Sequence, residues 1–317
     1  MRKFLFNSCC AFGAVVGLLI AAFNFFLLPR VKLYTYSFQR HYGRVMAACA
    51  DQSQPRLFLL GGSNLDYGIE NEMIDEALKG RYRFANMGLD AGMGLGLQLS
   101  LIDPYLRSGD CIVIASEYAG YDDAWNGGLA GYVYRCDVLN RTVLSATYPE
   151  RWSSCNLRSI RHYVMEKVRR LEGKEPTFKP AATAKAVNAT QGDSPFDALR
   201  QVLKSEYAEA PVVYGSAFVM SDQVRERLVQ IRTVMGERNV RVLITAPTYD
   251  ARHYALHKEE ISEIWRKLTD IFGNSVISKP ETYAYDLAHM CDSPWHVNHE
   301  ASVLRTRKLI EELLPCL

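Results

Sequence analysis

The chain has 317 residues, of which 48% are hydrophobic and 23% are charged, so it can bury a full core and does not have the composition of a disordered protein. Its 37 lysines and arginines nearly balance its 35 aspartates and glutamates. This near-neutral charge argues against nucleic acid as a partner, because binding to phosphates favours a basic protein.

The N-terminus contains an uncharged stretch from Phe4 to Leu28. A helix of this length, at about 1.5 Å per residue, crosses a bilayer core of roughly 30 Å. A cleaved signal peptide is the alternative, but its apolar region is typically shorter, and no small-x-small cleavage site precedes the following charges. We therefore predict an uncleaved anchor. The very short N-terminal tail favours an extracytoplasmic location for the rest of the chain, although more basic residues follow the stretch than precede it.

Beyond this stretch, short apolar strands alternate with amphipathic helices. The predicted strands cover residues 56–62, 82–88, 110–116 and 239–247, and the predicted helices cover 71–80, 94–106, 221–239 and the C-terminal segment. Strands separated by helices indicate an α/β domain with a parallel sheet. The alternation fails between about residues 120 and 217, which we interpret as a partly helical insertion.

These patterns divide the chain into a predicted anchor (1–30), a juxtamembrane linker (31–54) and an α/β domain (55–317) with the insertion inside it. Two of the predicted helices carry apolar stripes. Their members are Val224, Leu228, Ile231 and Val234 in the first, and Val303, Leu304, Ile310, Leu313 and Leu314 in the second.

The first predicted strand ends in Gly-Gly-Ser-Asn, and Ser63 stands directly before a helix. Functional groups of a parallel sheet gather beyond the carboxyl ends of its strands, so the Ser63 hydroxyl is a candidate nucleophile. The same four residues are also ordinary turn chemistry. A serine nucleophile needs a base, and a histidine base needs a carboxylate to orient it. The segment "CDSPWHVN" before the last helix contains both, as Asp292 and His296.

Together these segments resemble the SGNH, or GDSL, hydrolase superfamily, over residues 55–118 and 239–314. The ending "DSPWHVN…RT" is most similar to membrane-anchored bacterial members linked to O-acylation of cell-surface polysaccharides or teichoic acids. The resemblance implies a three-layer, flavodoxin-like fold with a parallel sheet. It also implies Ser63 as nucleophile, His296 as general base and Asp292 as the partner that orients His296.

An oxyanion hole is a further implication of the resemblance. Its donors would be the Ser63 N–H and a glycine N–H from "NMGLDAGMG" (86–94), with Gly92 as first choice and Gly88 as second. The superfamily also has a Gly-x-Asn-Asp block after its third strand, and here "EYAGYDD" stands in that place. Asn64 is the candidate replacement for the missing side-chain donor. Glu117, the first residue of the replacing segment, is either a substrate contact or part of a structural ion pair.

Two smaller departures from the superfamily pattern concern the other motifs. Gly62 stands where the serine motif has aspartate, and Asp292 precedes His296 by four residues instead of three. Asp286 is therefore a second candidate for the orienting carboxylate.

Metal and cofactor sites are not predicted. His253 and His257 in "HYALH" have a metal-ligand spacing, but the glutamate of HExxH is missing, and the cysteines show no CxxC pattern. A disulfide between Cys136 and Cys155 is possible if this part of the chain lies outside the cytoplasm, but the sequence does not determine it.

The combined prediction is a serine-dependent O-acyltransferase or esterase that acts on acyl groups, such as acetyl, of a cell-envelope polysaccharide. Its partners would be that glycan or an acyl ester, the membrane, and a membrane acyl-donor protein. A non-catalytic SGNH-like subunit, which binds glycan or a partner acyltransferase, is the alternative.

Overall fold

The structure is a computed structural model, and it describes residues 2–22, 32–88, 94–122, 125, 168, 172, 218–291 and 293–317. Residue contacts divide the chain into two compact units, Met1–Thr35 with Ala130–Lys179, and Tyr36–Leu129 with Pro180–Leu317. The second unit contains the parallel sheet. Most of the predicted insertion lies outside the described residues.

Helices and strands alternate along the second unit, as the sequence predicts. In chain order the elements of the described chain are α1 (Arg2–Ala22), α2 (Lys32–Ala50), β1 (Arg56–Gly61), α3 (Ser63–Gly68), α4 (Asn71–Leu78), β2 (Arg83–Gly88), α5 (Leu95–Ile102), β3 (Cys111–Ala115), α6 (Asp222–Glu237), β4 (Arg241–Ile244), β5 (Tyr249–Asp250), α7 (Ala251–Leu256), α8 (Lys258–Phe272), β6 (Ala284–Tyr285) and α9 (His299–Leu313). Short 3₁₀ turns, including Tyr118–Tyr121 after β3, connect several of them.

The N-terminal helix α1 covers part of the predicted anchor, Phe4–Leu28, whose last residues lie outside the described chain. Among the helices of the described residues, none combines the length and the apolar character that a membrane span requires. The anchor therefore stays a prediction from the sequence.

The main sheet has four parallel strands in the order β2-β1-β3-β4, which confirms the predicted α/β class. Every residue of β1 and of β3 is buried, as expected for strands covered on both faces. Leu57 and Leu59 of β1 pack with Val113 of β3 in the core. Because β1 lies between β2 and β3, the residues after its carboxyl end have neighbouring strand ends on both sides.

The buried face of the last helix, α9, differs from the prediction. Its buried residues are Ala301, Ser302, Arg305, Thr306, Leu309 and Leu313. The placement of Leu304 in the apolar stripe is wrong, because its side chain is 43% exposed. Arg305 is buried instead. Its Nη1 and Nη2 donate to Asn64, whereas its Nε has no hydrogen-bond partner in the described part of the chain. In α6, similarly, Val234 is exposed and Met235 is buried.

Helix α2 lies within the stretch that was predicted as a linker. It carries His41, which is fully buried. One ring nitrogen, Nε2, lies 2.7 Å from Asp66 Oδ1 of α3, and Nδ1 lies 2.8 Å from the Asn86 carbonyl oxygen of β2. Because both ring nitrogens are bonded, His41 ties α2 to the helix that begins at Ser63 and to the adjacent strand.

A buried ion pair joins the starts of β1 and β3. Arg56 Nη2 lies 2.5 Å from Asp110 Oδ2, and both side chains are almost fully buried. The Asp110 carboxylate also accepts the Arg56 backbone N–H at 2.8 Å and the Arg107 backbone N–H at 2.9 Å. Removal of the carboxylate would leave a buried guanidinium and two backbone donors without this acceptor.

We expect Asp110→Ala to lower the free energy of unfolding by about 3–5 kcal/mol, because it leaves a buried charge unpaired. Urea unfolding followed by circular dichroism measures this change. The control is Asp270→Ala, which breaks an exposed pair with Arg266 and should leave the midpoint close to that of the wild type. Equal midpoints for both variants would contradict the importance of the buried pair.

Candidate active site

Ser63 is the accessible residue of an otherwise buried segment. Strand β1 runs through Gly61 into Gly62, and α3 begins at Ser63. Gly62 and residues 64–69 are buried, whereas Ser63 is partly exposed. The Ser63 N–H, at the first position of α3, has no acceptor within its own helix. The serine thus presents a hydroxyl, with a backbone donor beside it, at the carboxyl end of a central strand.

His296 is held in a tight loop before α9. An antiparallel bridge joins Met290 to Val297, and the Cys291 N–H donates to the His296 carbonyl oxygen at 2.9 Å. The Thr248 hydroxyl donates to the carbonyl oxygen of Trp295 at 2.5 Å, which ties the loop to the segment after β4. Residues 293–295 and 297–298 are buried, and His296 is partly exposed. The loop therefore fixes its backbone and leaves the imidazole accessible.

The two accessible side chains meet. His296 Nε2 lies 2.8 Å from Ser63 Oγ, although 233 residues separate them in the chain. The Tyr67 ring packs against the imidazole, with ring centroids 4.3 Å apart. A serine hydroxyl hydrogen-bonded to an imidazole nitrogen is the arrangement in which histidine can act as a general base.

Arg305 connects α9 to the serine loop. Its Nη1 and Nη2 donate to the main-chain oxygen of Asn64 at 2.6 Å and to the Asn64 side-chain oxygen at 2.8 Å. The guanidinium is fully buried, and burial lowers the pKa of Arg305. The neighbouring Thr306 hydroxyl accepts the Glu70 N–H at 2.9 Å. These two residues are the "RT" of the quoted C-terminal motif, so the second half of that motif contacts the segment that carries the nucleophile candidate.

Gln98 of α5 holds the end of β1 from another side. Its side-chain oxygen accepts the Gly61 N–H at 2.9 Å, and its side-chain nitrogen donates to the Gly61 carbonyl oxygen at 2.7 Å. A fully buried amide thus bonds both main-chain groups of the residue two positions before Ser63. This role was not predicted, because a glutamine in an apolar helix has no distinguishing spacing.

Of the three predicted oxyanion donors other than the Ser63 N–H, two already donate to other groups of the fold, and the third lies outside the described residues. Gly88 N–H donates to the Asn86 side-chain oxygen at 2.8 Å. Asn64 is fully buried, and its side-chain nitrogen donates to the Ala115 carbonyl oxygen at 3.1 Å. Both groups are therefore engaged in contacts that hold the fold together. Gly92 lies outside the described residues.

Glu117 lies against the serine loop. The residue is buried, and its Oε1 accepts the Asn64 N–H at 3.2 Å. A Cβ atom on Gly62 would collide with both carboxyl oxygens of Glu117. Burial raises the pKa of the Glu117 carboxyl, against smaller opposing effects from hydrogen bonds and from the charge of His296. The carboxyl group therefore touches the residues on both sides of Ser63, and its burial disfavours its ionised form.

Asp292, the first candidate for the carboxylate that orients His296, lies outside the described residues. The second candidate, Asp286, lies 2.7 Å from the ring of His289, and its side chain is 69% exposed. Asp286 therefore pairs with a different histidine.

The two histidines of "HYALH" have separate carboxylate partners. His257 Nδ1 lies 2.7 Å from Glu260, and His253 Nδ1 lies 3.5 Å from Asp250. Within the described ranges, no three His, Cys, Asp or Glu side chains are grouped as metal ligands.

We expect Gly62→Ala to lower the free energy of unfolding by about 1–3 kcal/mol, because the added methyl overlaps the buried Glu117 carboxyl. The φ angle of Gly62 is −87°, which any residue adopts, so the cost is one of space and not of backbone strain. Urea unfolding of the single variant and of Gly62→Ala in a Glu117→Ala background measures the coupling between the two sites. An equal cost of Gly62→Ala in both backgrounds would rule out the overlap as its cause.

No model of a known protein family matches this sequence, and no curated protein matches it either. The geometry of Ser63, His296 and their neighbours therefore carries the functional proposal for this chain.

Proposed function

We propose that this chain is a serine-dependent O-acyltransferase or esterase that works through an acyl-serine intermediate on Ser63. The observation that carries the proposal is the 2.8 Å contact between Ser63 Oγ and His296 Nε2. Both residues are partly exposed within segments that are otherwise buried. A purely structural serine–histidine contact would not require both side chains to be accessible.

The first half of the reaction forms the intermediate. As Ser63 Oγ bonds to the carbonyl carbon of an acyl ester, its proton moves to His296 Nε2, and the carbonyl electron pair moves onto oxygen. The tetrahedral oxyanion then re-forms its C=O bond and expels the alcohol, which takes the proton from His296. The products of this half are the free alcohol and an ester of Ser63.

The second half transfers the acyl group to a hydroxyl. The acceptor gives its proton to His296 while its oxygen attacks the acyl-serine carbonyl, and collapse returns the proton to Ser63 Oγ. Water as acceptor makes the protein an esterase, and a sugar hydroxyl makes it an acyltransferase. We propose a cell-envelope polysaccharide as the glycan, on the strength of the motif "DSPWHVN…RT" and of the anchor predicted from the charge-free N-terminal stretch.

The fold supports the same proposal. The strand order β2-β1-β3-β4 is the order with which a flavodoxin-like sheet begins. Ser63 follows β1, and the loop that carries His296 precedes α9. This order of motifs is the one that the SGNH resemblance implies, and a three-layer SGNH-like domain is therefore part of the proposal.

A non-catalytic glycan-binding or partner-binding subunit is the second candidate. It is favoured by the engagement of the Asn64 amide with Ala115 and by a carboxyl group in the place of the third motif. The experiments below separate it from the enzyme, because a binding subunit has no need of a reactive serine.

We expect a fluorophosphonate probe to label the protein on Ser63. Ser63→Ala should abolish the label, and His296→Ala should slow labelling by on the order of 1,000-fold or more, because the hydroxyl loses its base. Intact-protein mass spectrometry followed by peptide mapping measures both the rate and the site of labelling.

The matched controls are an exposed serine and an exposed histidine. Ser53→Ala and His299→Ala should label at the wild-type rate, since His299 is 62% exposed and bonded to Glu70. A folded wild-type protein that is not labelled, or a label that survives in Ser63→Ala, would reject the enzyme and leave the binding subunit.

We also expect p-nitrophenyl acetate to give a burst of nitrophenolate and an acetyl group on Ser63. The burst follows when formation of the acyl-serine is faster than its hydrolysis, as it is in an enzyme that reserves the acyl group for a sugar. Stopped-flow absorbance measures the burst, and mass spectrometry of acid-quenched protein measures the acetyl group. Nitrophenolate release without any acetyl-Ser63 would contradict a covalent intermediate.

A further inference from the structure

The oxyanion of the proposed reaction needs more than one donor. Its charge develops beside Ser63, where the Ser63 N–H is available at the start of α3. The Gly88 N–H donates to the Asn86 side chain. The Asn64 side-chain nitrogen, which has two N–H donors, bonds the Ala115 carbonyl oxygen, and the Asn64 side chain also hydrogen-bonds the Glu117 carboxyl. Among the described candidates, both of these donors therefore already have acceptors.

Glu117 is the polar side chain that the fold brings to this place. It follows β3, the strand next to β1, and its carboxyl group bonds the Asn64 N–H at 3.2 Å. The same carboxyl fills the space that any side chain on residue 62 would need. The chain departs from the superfamily pattern at Gly62 in the serine motif and at Glu117 in the third motif, and these two residues are in contact.

The charge state of this carboxyl decides whether it can help. An ionised carboxylate would repel the oxyanion, whereas a carboxylic acid can donate its O–H to it, as protonated acids in apolar sites do. Three titratable groups interact electrostatically with the carboxyl: His296 from the loop before α9, Arg305 from α9 and Tyr121 from the turn after β3. Hydrogen bonds from the side chain and N–H of Asn64 and from the N–H of Glu117 itself also favour its ionised form.

The charged ones among these three groups shift the balance between the ionised and the neutral form of Glu117 in a definite direction. Arg305 favours the ionised form of Glu117, although its Nη atoms donate to Asn64. A protonated His296 also favours that form, but His296 must be neutral to accept the Ser63 proton. Tyr121 is uncharged. Burial is the largest influence, and it raises the pKa of Glu117.

We infer that Glu117, as a neutral acid, is a catalytic residue that donates the side-chain hydrogen bond to the oxyanion formed at Ser63. The carbonyl oxygen of the acid accepts the Asn64 N–H, and the hydroxyl donates to the oxyanion. The Glu117 proton stays on Glu117 throughout, so the proton balance of the reaction is unchanged. Gly62 is the residue that makes room for the acid. This inference rests on the proposed function.

The test compares Glu117→Gln with Glu117→Ala. Glutamine keeps a neutral side chain with a donor, so we expect its kcat/KM for p-nitrophenyl acetate to lie within about 10-fold of the wild type, whereas alanine should lose about 100-fold. Wild-type kcat/KM should fall as the pH rises through the raised pKa of Glu117, and Glu117→Gln should lack this fall. Glu259→Gln, an exposed glutamate, should retain the wild-type profile.

Equal losses in Glu117→Gln and Glu117→Ala, or a fall with rising pH that persists in Glu117→Gln, would overturn the inference while leaving a Ser63-dependent enzyme. The proposed function separately requires that Ser63→Ala abolish activity. If Ser63→Ala kept activity, both the proposed function and the inference about Glu117 would fail.

Protein stability gives a readout that does not depend on activity. Because the pKa of Glu117 is raised in the folded chain, the free energy of unfolding of the wild type should fall relative to that of Glu117→Gln as the pH rises from the ordinary glutamate pKa through the raised pKa.

Infrared difference spectra between the wild type and Glu117→Gln measure the protonation state directly. A protonated carboxyl C=O band at neutral pH in the wild type is expected. A carboxylate band in its place, in a protein with a native circular dichroism spectrum, would overturn the inference.

Discussion

The geometry of the site depends on the contact between the buried guanidinium of Arg305 and Asn64. A buried charge is costly unless it is hydrogen-bonded, and Nη1 and Nη2 of Arg305 bond the main-chain and side-chain oxygens of Asn64. These are the contacts that offset the burial, since its Nε has no partner among the described residues. Asn64 directly follows Ser63, and Arg305 lies in the helix that follows the His296 loop. The cost of leaving the guanidinium unbonded therefore holds the two distant halves of the site together.

Asn64 is the second part of this arrangement. Its N–H bonds Glu117, its side-chain nitrogen bonds Ala115, and its two oxygens bond Arg305. Contacts from β3 and from α9 thus converge on one residue. An asparagine is suited to this position because a single short side chain supplies both a donor and an acceptor.

Local patterns predicted the parts of the fold that local physics determines. The apolar runs that became β1 and β3 are buried throughout, and so is β4 apart from its first residue, so a continuous apolar sequence identifies them. Ser63 was predicted from its position after the first strand and His296 from its position before the last helix, and the structure places Ser63 Oγ 2.8 Å from His296 Nε2. Leu304 and Val234 were placed on the wrong helix faces, because helical spacing locates a stripe only to within about one residue.

Long-range contacts were beyond such reasoning. His41 bonds Asp66 and Asn86, and no feature around it in the sequence distinguishes it from a surface histidine. Glu117 and Gly62 were each noted as departures from a motif, but their contact is visible only when β1 and β3 are paired. A pattern of residue types describes each element separately, whereas these contacts arise between elements.

The bidentate contact of Gln98 with Gly61 has a consequence for the precision of the site. Gly61 also lies opposite Gly88 and Ala115, so the end of β1 is fastened on three sides. A slip of β1 by one residue would move its carboxyl end, and with it the start of α3 at Ser63, by about 3.3 Å. The hydrogen bond between Ser63 Oγ and His296 Nε2 would not survive a displacement of that size. The alignment of a strand within its sheet and the reactivity of one hydroxyl are therefore lost or kept together.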